Sequence, residues 1–350
     1  MRTIKTVLVA LVALTAIGPS ASAQGSLPVS LFERYLEALR LQSGIPGLSA
    51  AIVQNGRVVW DKGFGYQDVE NSIAATAETP YPIFDLTQAL SSTVVLQQCL
   101  EQRYLELTDR VYRWNPDFPD TSTTMAQLMS HTSPAGTFKY DPGRFAALTG
   151  VADQCSNSRY VRLLTEEIFK RLGMSSSMPG ADVLDPSSPH RRWINASTLD
   201  SYADLYRHLA APYKVDSRGR PTRSSAPAGP LSAATGVVST VRDLARFDAA
   251  LDEPGVLLEA STRSRAWESA GSTPAGLGWF VSRHNGERVV WQFGLARDAY
   301  SSLVVKVPGR NLTLILLANS DGLAGPAYNL ADGNLSSNLF ASLFLKLFVG

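Results

Sequence analysis

Apolar and polar residues alternate, or run in short apolar blocks, at the two ends of this chain, and recur with helical spacing between them. Leu48-Ser-Ala-Ala-Ile-Val53 and Arg57-Val-Val-Trp60 are strand-like runs joined through Gln54-Asn55-Gly56. Asn-Gly between two such runs is the strongest short hairpin signal, because both residues tolerate the left-handed backbone of a tight turn. The pattern returns near the other end, where Gly278-Trp-Phe-Val281 and Arg288-Val-Val-Trp291 flank Asn285-Gly286. A further pair, Ser302-Leu-Val-Val-Lys-Val307 and Leu312-Thr-Leu-Ile-Leu-Leu317, flanks Pro308-Gly309. Hairpins pair antiparallel, so strands from both ends are expected to share one antiparallel sheet. Phe32 to Leu41 and the apolar stretch Leu335 to Val349 read as helices that cover it.

From about Leu86 to Ala211 helical spacing dominates, most clearly over 93–100, 160–172 and 199–209. Residues 216–234 are rich in Ser, Arg, Pro, Gly and Ala and read as a long irregular return, after which Thr240 to Leu251 is helical again. The expected fold class is α+β: an antiparallel sheet flanked by helices, with an inserted all-helical lobe. The expected boundaries place a sheet lobe at 24–80 and 225–350 and the helical lobe at 81–224.

Composition changes this picture only at the N-terminus. Arg2 and Lys5, the apolar run Val7 to Ile17 and the small residues Ala21-Ser22-Ala23 form the layout of a cleavable signal peptide, residues 1–23, so the protein is expected to be exported, to the periplasm or beyond the cell. The run is short for a membrane span, and no transmembrane segment is expected in the mature chain. Mean hydropathy near zero (−0.03) fits an ordinary globular protein. A net charge of +1 supplies no electrostatic reason for nucleic acid as a partner. The histidines are scattered singly, without metal-ligand spacing, and no cofactor is implied. Cys99 and Cys155 either pair, as an oxidising compartment permits, or are two small buried apolar residues.

A set of local strings in fixed order carries more. Gly44-Ile-Pro-Gly-Leu48, Gly63-Phe-Gly-Tyr66, Leu128-Met-Ser-His-Thr-Ser133, Leu172-Gly-Met174, the run from Thr235 to Phe247, Gly276-Leu-Gly-Trp-Phe280 and Leu317-Ala-Asn319 span the mature chain. Together they resemble the serine β-lactamase and penicillin-binding-protein superfamily. That resemblance implies acyl transfer by three motifs: S-x-x-K opening a helix, Y-x-N on a loop, and K-T-G or H-x-G on a cleft-lining strand.

Each motif is altered. In Pro80-Tyr-Pro-Ile-Phe-Asp85-Leu-Thr-Gln88, Asp85 stands at the serine and Gln88 at the lysine, and no lysine in the chain has a serine three residues before it. A nucleophilic serine needs a nearby base, so the Ser–Lys mechanism is absent on any alignment. Asp-x-x-Gln at a helix start also reads as a capping box. Tyr140 retains the tyrosine of the second motif, with Pro142 in place of the asparagine, or is an ordinary loop aromatic. Gln292 replaces the histidine of the third, and Gly294 keeps the glycine, as a point of close approach to a ligand or as a strand bulge.

The resemblance therefore implies a non-catalytic relative, with Asp85, Gln88, Tyr140, Gln292 and Gly294 as vestigial positions and a small-molecule or peptide ligand in the cleft as the expected partner. The alternatives are a divergent hydrolase (esterase, peptidase or lactamase-like) using Asp85, Tyr140 or Ser92, and an envelope interaction protein whose cleft is irrelevant.

Overall fold

The computed structural model describes residues 27–225, 230–325 and 327–350; the expected leader 1–23 lies outside them. The strands, in chain order, are β1 Gly47–Gln54, β2 Arg57–Asp68, β3 Ile73–Ala74, β4 Tyr81–Pro82, β5 Tyr213–Val215, β6 Pro221–Arg223, β7 Val238–Ser239, β8 Phe280–His284, β9 Glu287–Ala296, β10 Tyr300–Val307 and β11 Leu312–Ala318. Seven of them form one antiparallel sheet in the order β3-β2-β1-β11-β10-β9-β8. The N-terminal hairpin and the C-terminal strands meet through β1 and β11, Leu48 facing Ala318 and Gln54 facing Leu312. The sheet is the α+β architecture read from the two chain ends.

The turns form for the reason their sequences indicate. Asn55 and Gly56 have φ of 52° and 71°, and Asn285 and Gly286 have φ of 48° and 83°, as a turn with both central residues left-handed requires. The third hairpin instead closes through a 3-10 turn at Pro308–Arg310 and a left-handed Asn311.

One face of the sheet packs against Leu27–Gln42 and Leu339–Phe348, where Phe32 meets Phe344 and Phe348 at ring centroids 6.2 and 5.7 Å apart. Asn338 caps the closing helix, its Oδ1 accepting from the Ala341 N–H. The opposite face packs against the helices between the strands and against Val241–Asp252, which Thr240 caps through Asp243 N–H. Within the helical region the 93–100 and 160–172 segments both turn π-helical, over Leu96–Leu100 and Leu164–Lys170. Cys99 and Cys155 are disulfide-bonded, tying the first of these segments to the helix Leu148–Cys155. Within the irregular return expected over 216–234, Pro221–Arg223 alone departs from it: as β6 it pairs with β5 in a small hairpin whose turn Asp216 organises by accepting from the Arg218 and Arg220 amides, while 224–225 and 230–234 carry no helix or strand. No helix among the described residues is long and apolar enough to cross a membrane.

Candidate functional site

The short strands β4 and β7 pair beneath the sheet and deliver the chain to a 3-10 turn, Phe84–Leu86, that opens the buried helix Thr87–Val95. Ile83 anchors this turn from several sides. Its N–H donates to the Val237 carbonyl at 2.9 Å, and its own carbonyl accepts from Ser302 Oγ at 2.9 Å and from Leu86 N–H at 3.2 Å. Phe84, next in the chain, is held at φ 47°, a left-handed conformation costly for an aromatic residue and sustained only where the surroundings over-determine it. Its ring stacks on Tyr300 at 6.0 Å. The consequence is the placement of Asp85.

Asp85 does not cap the helix. Neither the 3-10 turn nor the helix behind it has a side-chain cap bond, and the Asp85 carboxyl makes no hydrogen bond or ion pair among the described residues. The capping box fails because the helix does not start freely from Asp85; it continues from the turn Phe84–Leu86, whose entry at Ile83 is anchored by Val237 and Ser302. Partly buried and unpartnered, the carboxyl is pushed up to about 7 by burial.

Gln88 is fully buried and spends its amide elsewhere. The Asp141 backbone N–H, which can only donate, bonds His131 Nδ1 at 3.1 Å. That fixes the ring proton on Nε2, which donates to Gln88 Oε1 at 2.9 Å. The amide is thereby oriented with Nε2 toward Tyr140, donating to its Oη at 3.1 Å. The chain of bonds runs in one direction, from Asp141 through His131 and Gln88 to Tyr140, and the phenol oxygen is its terminal acceptor. Its own proton is left to point elsewhere, and no acceptor for it stands among the described residues. Burial lowers the His131 imidazole to about 4, outweighing the neighbouring Asp141 charge, so the ring stays neutral above that pH. Burial first, and then the Asp85 charge, raise the Tyr140 hydroxyl well above its ordinary value. The Tyr140 ring is wedged against His131, Phe293 and Phe280 at 4.6, 5.3 and 5.5 Å, so it is a packed aromatic and a polar site group at once.

The remaining sequence candidates fall away from this cluster. Gln292 is 1% exposed and turned inward, its Nε2 donating to the Gly278 carbonyl at 3.1 Å and its Oε1 accepting from the Phe293 N–H at 2.9 Å. Gly294 is not a bulge. It pairs in regular register with Ser302, and a Cβ there would lie 2.0 Å from the Ile83 carbonyl oxygen, so the missing side chain makes room for the turn that carries Asp85. Pro142 occupies the first position of the helical turn Pro142–Phe145, where a missing N–H costs nothing, with Asp141 as its cap. Ser92 is buried and donates to the Leu277 carbonyl at 2.6 Å, which removes it as a nucleophile. A cavity of about 390 Å³ lies on the other side of the turn, lined by Phe84, Leu209, Pro212, Val237 and Tyr300 but by none of Asp85, Gln88, Tyr140 or Gln292.

His131 was missed as a site residue by spacing arguments, which treat it as a lone histidine; the signal was its place inside Leu128-Met-Ser-His-Thr-Ser133. Among the described residues no group of His, Cys, Asp or Glu side chains is arranged to hold a metal ion.

Asp85→Asn keeps the shape of the side chain and removes its titration. A carboxyl whose folded pKa is raised favours the fold below its unfolded value near 3.8, and that contribution is lost progressively as pH rises to about 7. The wild type is therefore expected to lose about 2–3 kcal/mol relative to Asp85→Asn between those limits, after discounting the part of the carboxyl that solvent reaches, with no further divergence above neutrality. Urea titrations across that range check it.

An antiparallel sheet split by a helical insert, with a buried helix opening on the site and a loop tyrosine aimed at its head, is the layout of the penicillin-recognising serine hydrolases. The chain belongs to the Beta-lactamase family, whose model matches residues 31–336. It is 39% identical over 100 residues to "Protein flp" of Staphylococcus aureus, a match covering 27% of this chain and 20% of that protein, about a fifth of the relative's length. With the "Putative penicillin-binding protein PbpX" of Bacillus subtilis it shares 24% identity over 264 residues, 67% of this chain and 62% of the relative. Among solved structures it resembles the octameric penicillin-binding protein homologue of Pyrococcus abyssi, with a TM-score of 0.69, 19% identity and coverage of 84% and 74% of the two chains. It also resembles the D-alanine carboxypeptidase AmpC of Burkholderia cenocepacia, with a TM-score of 0.67, 18% identity and coverage of 90% and 98%. These structural likenesses establish the fold.

Proposed function

We propose that this protein is an exported, non-acylating member of the family that binds a small-molecule or peptide ligand in the cleft at Asp85 and Tyr140. The observation that carries this reading is the bonding of Gln88. Where the family pattern places a lysine to deprotonate a serine, an amide is locked between His131 and Tyr140, and the preceding serine position is a carboxylate. Neither group performs the acyl-transfer step, since an amide is no base at neutral pH and Asp85 offers no alkoxide. The positions around them have been reused rather than abandoned: Pro142 starts a helical turn, Gln292 satisfies backbone groups, and Gly294 still admits the Asp85 turn. The Cys99–Cys155 cross-link supports export, because such bonds persist in oxidising compartments.

The test is incubation of the purified protein with a fluorescent penicillin, followed by denaturing electrophoresis and intact mass. No covalent adduct is expected. A stable adduct on Asp85 or on any serine would overturn the reading.

A second reading, a divergent hydrolase, is favoured by one observation: Asp85 titrates near neutrality beside a phenol with a free proton, which is the pairing an acid and a base need. Measurable ester hydrolysis that is lost in both Asp85→Ala and Tyr140→Phe would support it.

A further inference from the structure

The charges around Asp85 deepen the non-acylating reading and rest on it. The resemblance implies a lysine at position 88 and a lysine or histidine at position 292; here both are amides, and both amides are consumed by internal bonds. The helix Thr87–Val95 carries no ionisable side chain. The titratable groups that face Asp85 from the packed elements are Tyr140 on its loop and the neutral His131 behind Gln88. Tyr81 on β4 is engaged with Ser49, and Tyr300 on β10 lies beyond Phe84. Among the described residues burial is the influence that moves the Asp85 carboxyl, and no cation compensates it. Among the described residues the half-buried Asp85 carboxyl thus has nothing to pair with, and it stands beside the Tyr140 phenol, whose oxygen already accepts from Gln88 while its O–H stays available to donate. Leaving a carboxylate partly desolvated and unpaired is costly, and a ligand cation repays that cost on binding.

We infer that the cleft is built for a protonated amine: the ligand's ammonium N–H groups donate to the Asp85 carboxylate, and an adjacent carbonyl or hydroxyl of the ligand accepts from Tyr140 Oη–H. A ligand presenting a carboxylate at this point meets a like charge and no cation. The polarity of the site is therefore inverted relative to the pattern the family motifs describe.

Binding of an ammonium requires the ionised carboxylate, so it expels the Asp85 proton and tightens as pH rises toward the carboxyl's own pKa. The probe is benzylamine, protonated throughout the range, compared with benzyl alcohol and benzoate by ligand-observed NMR and calorimetric titration. Benzylamine is expected to bind at least ~10-fold more tightly than either control. Its affinity should rise roughly 10-fold or more from about pH 5.5 to about pH 8. The preference should vanish in Asp85→Asn, which keeps the shape of the turn and whose melting curve verifies the fold. Equal binding of benzyl alcohol or benzoate, an affinity that is flat with pH, or an unchanged benzylamine preference in Asp85→Asn would each overturn the inference. The same samples are treated with penicillin and weighed. An acyl adduct refutes the non-acylating reading whatever benzylamine does, whereas a clean mass with no amine preference refutes only the cation site.

Discussion

Lys306→Met is expected to destabilise the protein by about 3–5 kcal/mol, the range for removing one partner of a buried ion pair. Lys306 lies on β10 with its side chain completely buried, and its Nζ donates to Asp248 Oδ1 and Asp252 Oδ2 at 2.8 Å each and to Thr313 Oγ1 at 3.1 Å. It also stands 5.6 Å from the Trp267 ring centroid. Burial raises the Asp248 carboxyl while Lys306 pulls it down, and burial wins even with the lysine present. Asp248 Oδ2 already lacks a partner. Removing the ammonium strands two carboxylates between Val241–Asp252 and the sheet, and Asp248 loses the one charge that pulls its raised pKa down. The loss should accordingly be smallest at acid pH, where Asp248 protonates, and largest above neutrality. Urea denaturation of Lys306→Met checks the magnitude. Adding Asp248→Leu and Asp252→Asn should recover most of it, since a buried pair replaced whole by apolar or neutral groups costs little.

Breaking the disulfide is the second large effect. Cys99 and Cys155 close a loop across a sequence separation of 56, for which chain entropy gives about 4 kcal/mol. The bond joins the π-helical segment after the helix Thr87–Val95 to Leu148–Cys155, both within the buried helical layer. Cys99→Ala/Cys155→Ala is therefore expected to lower the urea midpoint sharply, and reductant should lower that of the wild type but leave the double variant unchanged. An unaltered midpoint in the double variant would show that the bond adds nothing to stability.

Much of the fold could be read from residues alone because its signals are local. Asn55-Gly56 and Asn285-Gly286 specify their turns through backbone preferences that hold in any context. Thr240 and Asn338 cap helices through bonds to amides three residues on. The joining of the two chain ends followed from antiparallel hairpins needing a common sheet. The same local rule misled at Asp85. Asp-x-x-Gln satisfies the capping pattern, but the helix enters from a turn that Val237 and Ser302 already anchor, and these lie far away in the chain.

The family motifs located Asp85, Gln88 and Tyr140 as neighbours, while Gln292 turned out to face inward and Gly294 to make room for the Asp85 turn. A strand residue's direction depends on which face its register buries, and that register is a tertiary property.

The sequence by itself determined the α+β class, the hairpins, and the absence of any serine–lysine pair, because each depends on residue identity at short range. The tertiary structure alone decided that Cys99 meets Cys155, that a histidine in a sequence box orients the Gln88 amide, and that Asp85 is left without a partner among the described residues. Those outcomes depend on which distant groups are brought within hydrogen-bonding reach, and on how much water is excluded when they are. Asp85 and Gln88, one helical turn apart, show the division: their identities leave no serine–lysine pair, and only the surrounding fold leaves one of them bonded on both sides and the other without a partner among the described residues.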